Sequence, residues 1–239
     1  MNNECKLIYE GKAKKIFSTN DKSTLVQYFK DDATAFNNKK RKQFKSKGIL
    51  NNSISALIFK YLNENRIKTH FIKKISEREQ IIKKVKIIPL EVVVRNYSAG
   101  SISDKFKIKQ GKKFKEPIIE FFLKSDELND PFMNSAHIKL LNIATAKEIK
   151  YLTKLALKIN ILLIKLFSKI GIILVDFKLE FGKSNNEIIL ADEISPDNCR
   201  LWDKKSKLSL DKDLFRHDKG DLINAYEYIH TKLNRKLNV

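Results

Sequence analysis

From Val175 to Phe181 the chain alternates strictly: Val175, Phe177, Leu179 and Phe181 fall on one side, Asp176, Lys178 and Glu180 on the other. Successive side chains of a β-strand point to opposite faces, so this period of two predicts a strand with one core face and one charged face. Few arrangements accommodate such a segment. The apolar side must close onto a core while the charged side lines solvent or a cleft. Gly182, Lys183, Ser184, Asn185 and Asn186 then supply turn chemistry, and Glu187 to Glu193 resumes as a second extended run, which predicts a hairpin.

If Phe181 opposes Glu187, then Glu180 faces Ile188, Lys178 faces Leu190 and Asp176 faces Asp192, all on one side of the sheet. Two or three carboxylates and a lysine would converge there. Opposed carboxylates repel unless neutralised, and a hard divalent cation bridged to phosphate oxygens is a common solution. The hairpin alone leaves two readings open, a magnesium–nucleotide site or a solvated face with incidental charges. The polar loop that follows, Ser195-Pro196-Asp197-Asn198-Cys199-Arg200, is of the kind on which binding groups are mounted, and Arg200 offers a planar fork for phosphate or carboxylate.

At 239 residues with 42% hydrophobic content, the chain can bury a core as one large domain or two closely packed lobes. The formal charge of +20 invites a nucleic-acid reading. The excess is nearly all lysine spread along the chain, and a lysine-coated enzyme with small anionic substrates fits it equally. Cys5 and Cys199 form no C-x-x-C motif, His70, His137, His217 and His230 lack zinc-ligand spacing, and both facts suit a reducing compartment without a structural metal. The most hydrophobic stretch, Leu155 to Val175, is interrupted by Lys158, Asn160, Lys165 and Lys169, so no membrane span is expected. A cytoplasmic location is the expectation.

Residues 6–30 read as three strands joined by tight turns, an antiparallel N-terminal sheet. Gly11-Lys12-Ala13-Lys14 places two lysines beside flexible backbone, either a phosphate clamp or surface lysines at a hairpin; no G-x-x-x-x-G-K-[ST] or G-x-G-x-x-G occurs. The segment from Asp31 to Lys47 is polar and basic, and its Lys39-Lys40-Arg41-Lys42 run reads as a solvated stretch or a nucleic-acid arm, the second disfavoured because no aromatics interleave with the basic residues. Leu50, Ile54, Leu57, Ile58, Tyr61 and Leu62 predict a helix over 49–64 that packs one face on a core. Short strands follow up to Val94, with the run from Ile82 to Pro89 placed to join two lobes and line an adenine slot. Arg95-Asn96-Tyr97-Ser98-Ala99-Gly100-Ser101 reads as a phosphate cradle or an ordinary turn. Residues 111–137 look loop-rich, with a strand between Pro117 and Leu123. Thr145 and Glu148 form a capping box for a long helix ending at Gly171, and a final amphipathic helix carries Leu222, Tyr226, Ile229 and Leu233.

In order along the chain, YEGKAKKIF, DATAF, KGILNN, VVRNYSAGS, LVDFKLEFG, ADEISPDNCRLWD and DKDLFRHDKGDLINAYE closely resemble the SAICAR synthetase (phosphoribosylaminoimidazole-succinocarboxamide synthase) family. The resemblance implies an α+β, two-lobed fold similar to ATP-grasp enzymes and kinases. An antiparallel N-terminal sheet lobe (1–88) would bind ATP, and a larger α+β lobe (89–239) would hold substrate and metal. It implies an ATP-dependent ligase that activates the carboxylate of carboxyaminoimidazole ribonucleotide (CAIR) and condenses it with L-aspartate to give SAICAR, ADP and phosphate. Phosphoryl transfer of this kind needs positioning and charge stabilisation more than a protein nucleophile.

Carried over residue by residue, Glu180 and Asp192 match magnesium ligands, and Gly11, Lys12, Ala13, Lys14 and Ile16 match the ATP-binding segment. Arg95, Ser101 and Arg200 match positions that hold the ribonucleotide phosphate, and Asp197 and Arg216 match polar positions near the substrate. Lys178 is expected to steady the transferring phosphoryl group, with Asp176 orienting Lys178 or metal-bound water. Asn37-Asn38 departs from the family pattern of Asp or Asn followed by Gly, so Asn37 would bring no charge to a metal shell. Cys199 reads as a small filler. Small-molecule substrates, no nucleic acid, no membrane and self-association into a homo-oligomer are the implied partners. A small-molecule kinase on the same scaffold and a basic nucleic-acid-binding protein are the competing readings; aspartate dependence separates the first, steep salt dependence the second.

Overall fold

The computed structural model describes residues 6–35, 39–185 and 187–237. Its strands are β1 (Leu7–Glu10), β2 (Lys14–Ser18), β3 (Thr24–Phe29), β4 (Asp32–Ala35), β5 (Lys40–Gln43), β6 (Phe71–Lys74), β7 (Glu79–Lys83), β8 (Lys86–Tyr97), β9 (Lys113–Leu123), β10 (Phe132–Met133), β11 (Ile172–Ser184), β12 (Glu187–Ala191) and β13 (Cys199–Asp203). Its helices are α1 (Lys47–Glu64), α2 (Ser101–Phe106), α3 (Ser135–Leu140), α4 (Ala146–Lys169), α5 (Asp213–Arg216) and α6 (Leu222–Leu237).

The N-terminal strands form the expected antiparallel sheet, ordered β1-β2-β3-β7-β6. A second antiparallel sheet runs β10-β9-β8-β11-β12, and β13 joins it by pairing with the first half of β11. Thus β11 is the spine of the molecule. Val175, Phe177, Leu179 and Phe181 are buried in the core as the alternation predicts, and α4 packs behind them. That helix starts on the Thr145–Glu148 capping box and ends before Gly171, whose φ of 77° is left-handed. The fold is α+β.

Several expectations change. The hairpin register is Ser184 opposite Glu187, Phe181 opposite Leu190 and Glu180 opposite Ala191, so only positions 185 and 186 separate the strands. The expected five-residue turn is absent because strand propensity and core burial extend β11 through Gly182, where any Cβ would lie 2.4 Å from Val85. The register offset puts Leu190 in the core. Asp192 then lies beyond β12 at φ 62°, a left-handed turn that brings its carboxylate back towards the charged face.

The stretch after Asp31 holds a two-stranded β4–β5 unit, in which Lys40 bonds the Phe215 carbonyl oxygen at 2.7 Å. Helix α1 is buried from Leu50 through Phe59 without interruption rather than on one face, because it is enclosed by β6, β3, β7 and α6. Pro89 lies inside β8, at the bulge where β8 pairing with β11 breaks between Glu91 and Ile87, a position that needs no N–H donor. Residues 111–137 are largely the strand β9 with β10 and the start of α3, and Arg200 is on β13 rather than in a loop. Asn37-Asn38 and Cys5 lie outside the described residues. Among the described residues no helix is long and apolar enough to cross a membrane.

Candidate active site

A cleft of about 730 Å³ opens between the two sheets, with the charged face of β11 as its floor. The same alternation continues on the neighbouring strand: Glu91, Val93 and Arg95 of β8 line the cleft while Val92 and Val94 are fully buried. Most charged groups in it are organised into two ion networks.

The first is built of lysines. Lys178 Nζ lies 2.5 Å from Glu91 and 3.0 Å from Glu180, and Lys124 Nζ reaches both Glu180 oxygens at 2.7 and 2.6 Å. From the other sheet, Lys14 pairs with the Asp192 carboxylate and with Glu193 at 2.9 Å. Burial works against the charge on Lys178, but Glu180 and Glu91 outweigh it and hold its pKa well above the ordinary value. For Asp192 burial is likewise overcome, by Lys14 and Lys178, which hold the carboxyl below its usual range. Glu91 goes the other way, its pKa raised chiefly by burial. Gln27 Nε2 donates to the Asp192 carbonyl oxygen at 3.2 Å, a second contact across the sheets. At the rim, Lys12 meets Asp126 at 2.6 Å, and the Gly11 N–H closes its turn on the Lys14 carbonyl at 2.9 Å.

The second network is built of arginines. Asp176 is the register partner of both Arg95 on β8 and Arg200 on β13. Its carboxylate accepts from Arg95 at 3.1 Å and from Arg200 at 2.9 and 3.2 Å. Arg95 also donates to Glu120 at 2.5 Å and to Ser101 Oγ at 2.9 Å, and Arg200 to Asp213 at 2.8 Å. Gly100 is glycine because a Cβ there would lie 2.3 Å from the Arg200 guanidinium; the Gly100 φ is 58°. Asp176 therefore holds two guanidinium groups, and the carboxylates bonded to Lys178 are Glu91 and Glu180. Of the two roles expected of Asp176, orienting Lys178 or metal-bound water, the first is not the one its contacts serve.

Asp197 is fully engaged. Lys47 Nζ lies 2.5 Å from one oxygen and the Tyr226 hydroxyl 2.7 Å from the other. Arg216 pairs with Asp213. Of the residues expected at the site, Gly11, Lys12, Ala13, Lys14, Arg95, Asp176, Lys178, Glu180, Asp192, Asp197, Arg200 and Arg216 all line the cleft. Ser101 is held to it through Arg95, and Ile16 lies on β2 outside the lining. Sequence reasoning missed Glu91, Lys124, Lys47 and Lys212. The β8 alternation could have revealed Glu91. The others sit at a helix start or in polar loops, where no periodicity marks them.

Glu180 and Asp192 are oxygen-only donors, and in this structure lysines occupy them. Among the described residues no group of three or more His, Cys, Asp or Glu side chains is arranged to hold a metal. Magnesium is commonly bound by one or two carboxylates completed by phosphate oxygens and water, and this donor set fits that mode rather than an all-protein cage.

The SAICAR synthetase family model matches residues 7–233. A phosphoribosylaminoimidazole-succinocarboxamide synthase from the Wolbachia of Culex pipiens is 54% identical, over 98% of each chain. The crystal structure of the Ehrlichia chaffeensis phosphoribosylaminoimidazole-succinocarboxamide synthase superimposes with a TM-score of 0.94 at 51% identity, covering 96% of this chain and 98% of that one. A SAICAR synthetase solved in complex with ADP gives 0.92 at 52% identity, covering 94% and 96%.

Proposed function

This chain belongs to the SAICAR synthetase family, and from that premise we propose how its two ion networks divide the work of the reaction. It is an ATP-dependent carbon–nitrogen ligase of purine biosynthesis that joins CAIR to L-aspartate, giving SAICAR, ADP and phosphate. The observation that carries the division is that both networks stand on one face of β8 and β11, with Lys178 and Asp176 two residues apart on a single strand.

The lysine network takes ATP. Lys12 and Lys14 reach its phosphates from the Gly11 turn, exchanging Asp126 and Asp192 for phosphate oxygens. Glu180 and Asp192 would hold Mg²⁺, which would offset the charge of the ATP phosphates. Arg95, Ser101 and Arg200 hold the CAIR 5′-phosphate, already oriented by Asp176, Glu120 and Asp213. Lys178 keeps its proton and steadies the phosphoryl group as the CAIR carboxylate oxygen attacks the γ-phosphorus, the bond to the β–γ bridging oxygen breaks and ADP leaves. The resulting acyl phosphate turns a poor electrophile into a good one. The neutral L-aspartate amine then adds to the carbonyl carbon, phosphate leaves, and the nitrogen gives up one proton to water as the amide forms.

The N-terminal lobe, expected as residues 1–88, is read as the ATP lobe and the remainder, expected as 89–239, as the substrate lobe; the change of sheet falls slightly earlier, where β7 ends at Lys83 and β8 begins at Lys86. The buried thiol of Cys199 suits a reducing, cytoplasmic setting. Phe132, Leu140 and Leu141, each more than half exposed, offer apolar surface for assembly into a homo-oligomer.

The test is ADP release by purified protein supplied with ATP, magnesium, CAIR and L-aspartate, omitting one at a time. Release that needs all four, with SAICAR formed in equal amount, is the expected result. ADP formed without aspartate, with a phosphorylated product accumulating, would replace the ligase by a kinase.

A further inference from the structure

Lys212 differs from the other cations of the cleft. Lys12, Lys14, Lys124, Lys178 and the arginines each have a carboxylate within ion-pair distance, whereas Lys212 has none among the described residues. Asp197, the carboxylate that pulls on it most strongly, has one oxygen occupied by Lys47 and the other by Tyr226. A cleft lysine without a counter-ion is costly to fold and points to an anion that arrives later.

Lys212 and Arg216 span one helical turn, closed by the Arg216 N–H on the Lys212 carbonyl oxygen at 3.0 Å. Residues four apart on a helix lie on the same face, with Cβ atoms roughly 5–6 Å apart. Both side chains line the cleft. Arg216 uses one terminal nitrogen on Asp213, which leaves the other edge of its fork open among the described residues. Two adjacent cations suit a compact dianion.

We propose that Lys212 and Arg216 form the subsite for L-aspartate, one cation for each of its two carboxylates, so that the amine is presented towards the activated CAIR carboxyl. This rests on the ligase reading above. The surroundings of Lys212 agree with it. Burial, together with Lys47 from α1 and Arg216 on its own turn, pushes the Lys212 pKa down to about 8 against the opposing pull of Asp197 and Glu193 from the segment after β12. Lys212 is charged below that value. Affinity for a dicarboxylate should therefore fall as pH rises through about 8.

The experiment compares Lys212→Met and Lys212→Arg with the wild-type enzyme in steady-state kinetics. Succinate, a dicarboxylate with no amine, serves as a competitive probe against L-aspartate. In Lys212→Met, the L-aspartate KM and the succinate inhibition constant should both rise at least tenfold, while the KM values for CAIR and ATP stay within twofold. Lys212→Arg should recover part of the loss. The same Lys212→Met variant should melt no lower than wild type, because it removes an uncompensated charge, whereas a purely structural lysine would lower the melting temperature on removal. A rise in the CAIR KM with an unchanged aspartate KM would overturn the assignment, as would a lowered melting temperature with unchanged kinetics. Wild-type protein that makes no SAICAR at all would instead defeat the ligase reading on which the subsite depends.

Discussion

The two ion networks of the cleft use similar numbers of charges but are built differently. The arginine network hangs on strand register. Asp176 stands directly opposite Arg95 on one side and Arg200 on the other, and the Arg95 and Asp176 side chains are 4% and 6% exposed. The lysine network is assembled across separate pieces of the molecule: Lys14 comes from the N-terminal sheet, Asp192 from a left-handed turn, Lys124 from the segment after β9, and Lys178 and Glu180 from the second sheet. Lys124 and Lys178 are 39% and 29% exposed. Planar guanidinium forks locked by buried carboxylates make a fixed anchor, and ammonium groups on flexible stems make contacts that can be exchanged. A phosphate that must be held still suits the first. A triphosphate that must enter, react and leave as diphosphate suits the second.

The sharpest way to break this comparison is at the carboxylates assigned to the nucleotide. Glu180→Ala or Asp192→Ala should lower turnover by roughly 10³-fold or more, since charge stabilisation of the transferring phosphoryl group is the largest contribution on offer. The fold should persist, because Lys14 keeps Glu193 and Lys178 keeps Glu91. Circular dichroism alongside kinetics checks both halves, and near-normal rates in either variant would remove it from the metal and phosphate machinery.

The next contrast is in stability. Asp176→Asn takes from Arg95 and Arg200 the counter-charge they share and leaves each with one carboxylate, Glu120 and Asp213, at a cost of about 2 kcal/mol, read as a lowered denaturation midpoint. Glu91→Gln on the lysine side should cost less than about 1 kcal/mol at neutral pH. The sign follows from burial, which raises the Glu91 pKa in the folded state, so the ionised carboxylate opposes folding and its stability contribution falls as pH rises above the ordinary glutamate range. Glu91→Gln should flatten that part of the pH–stability curve. Equal losses in the two variants would erase the distinction between the networks.

The period-two run of β11 revealed the floor of the site, and the capping box and apolar stripe revealed α4 almost to the residue, because those signals are local. Register was not legible. It depends on which face of β12 the core demands, and a three-residue offset only became visible once Leu190 was seen opposite Phe181. The partners of Asp176 were hidden for the same reason, since Arg95 and Arg200 lie 81 and 24 positions away. Lys47, Lys124 and Lys212 had no signal at all in a chain with 48 lysines and arginines, where one more cation marks nothing.

Exchange of the cation types tests geometry apart from charge. Arg95→Lys keeps the charge but cannot donate to Glu120, Asp176 and Ser101 together, so the CAIR KM should rise about tenfold, the value of one charge-assisted bond. Lys12→Arg, at a pair whose side chains are 34% and 69% exposed, should move the ATP KM by less than about threefold. A rise confined to the ATP KM in Arg95→Lys would mean that the two ends of the cleft have been exchanged.

The smallest effect is expected where a reactive residue type stands between the networks. Cys199 lines the cleft beside Arg200, yet its thiol is buried, and burial together with Asp176 raises its pKa well above the ordinary value, so the thiolate that chemistry would need is suppressed. Among the described residues its Sγ has one hydrogen-bond partner, Asn198 Oδ1 at 3.6 Å. Cys199→Ser preserves size and gains a hydroxyl that can donate to the same oxygen, so turnover should stay within about twofold, read as kcat at saturating substrates. A large loss would mean that the thiol takes part in the reaction, and the separation of the cleft into a fixed arginine end and an exchangeable lysine end would then omit a third reactive element.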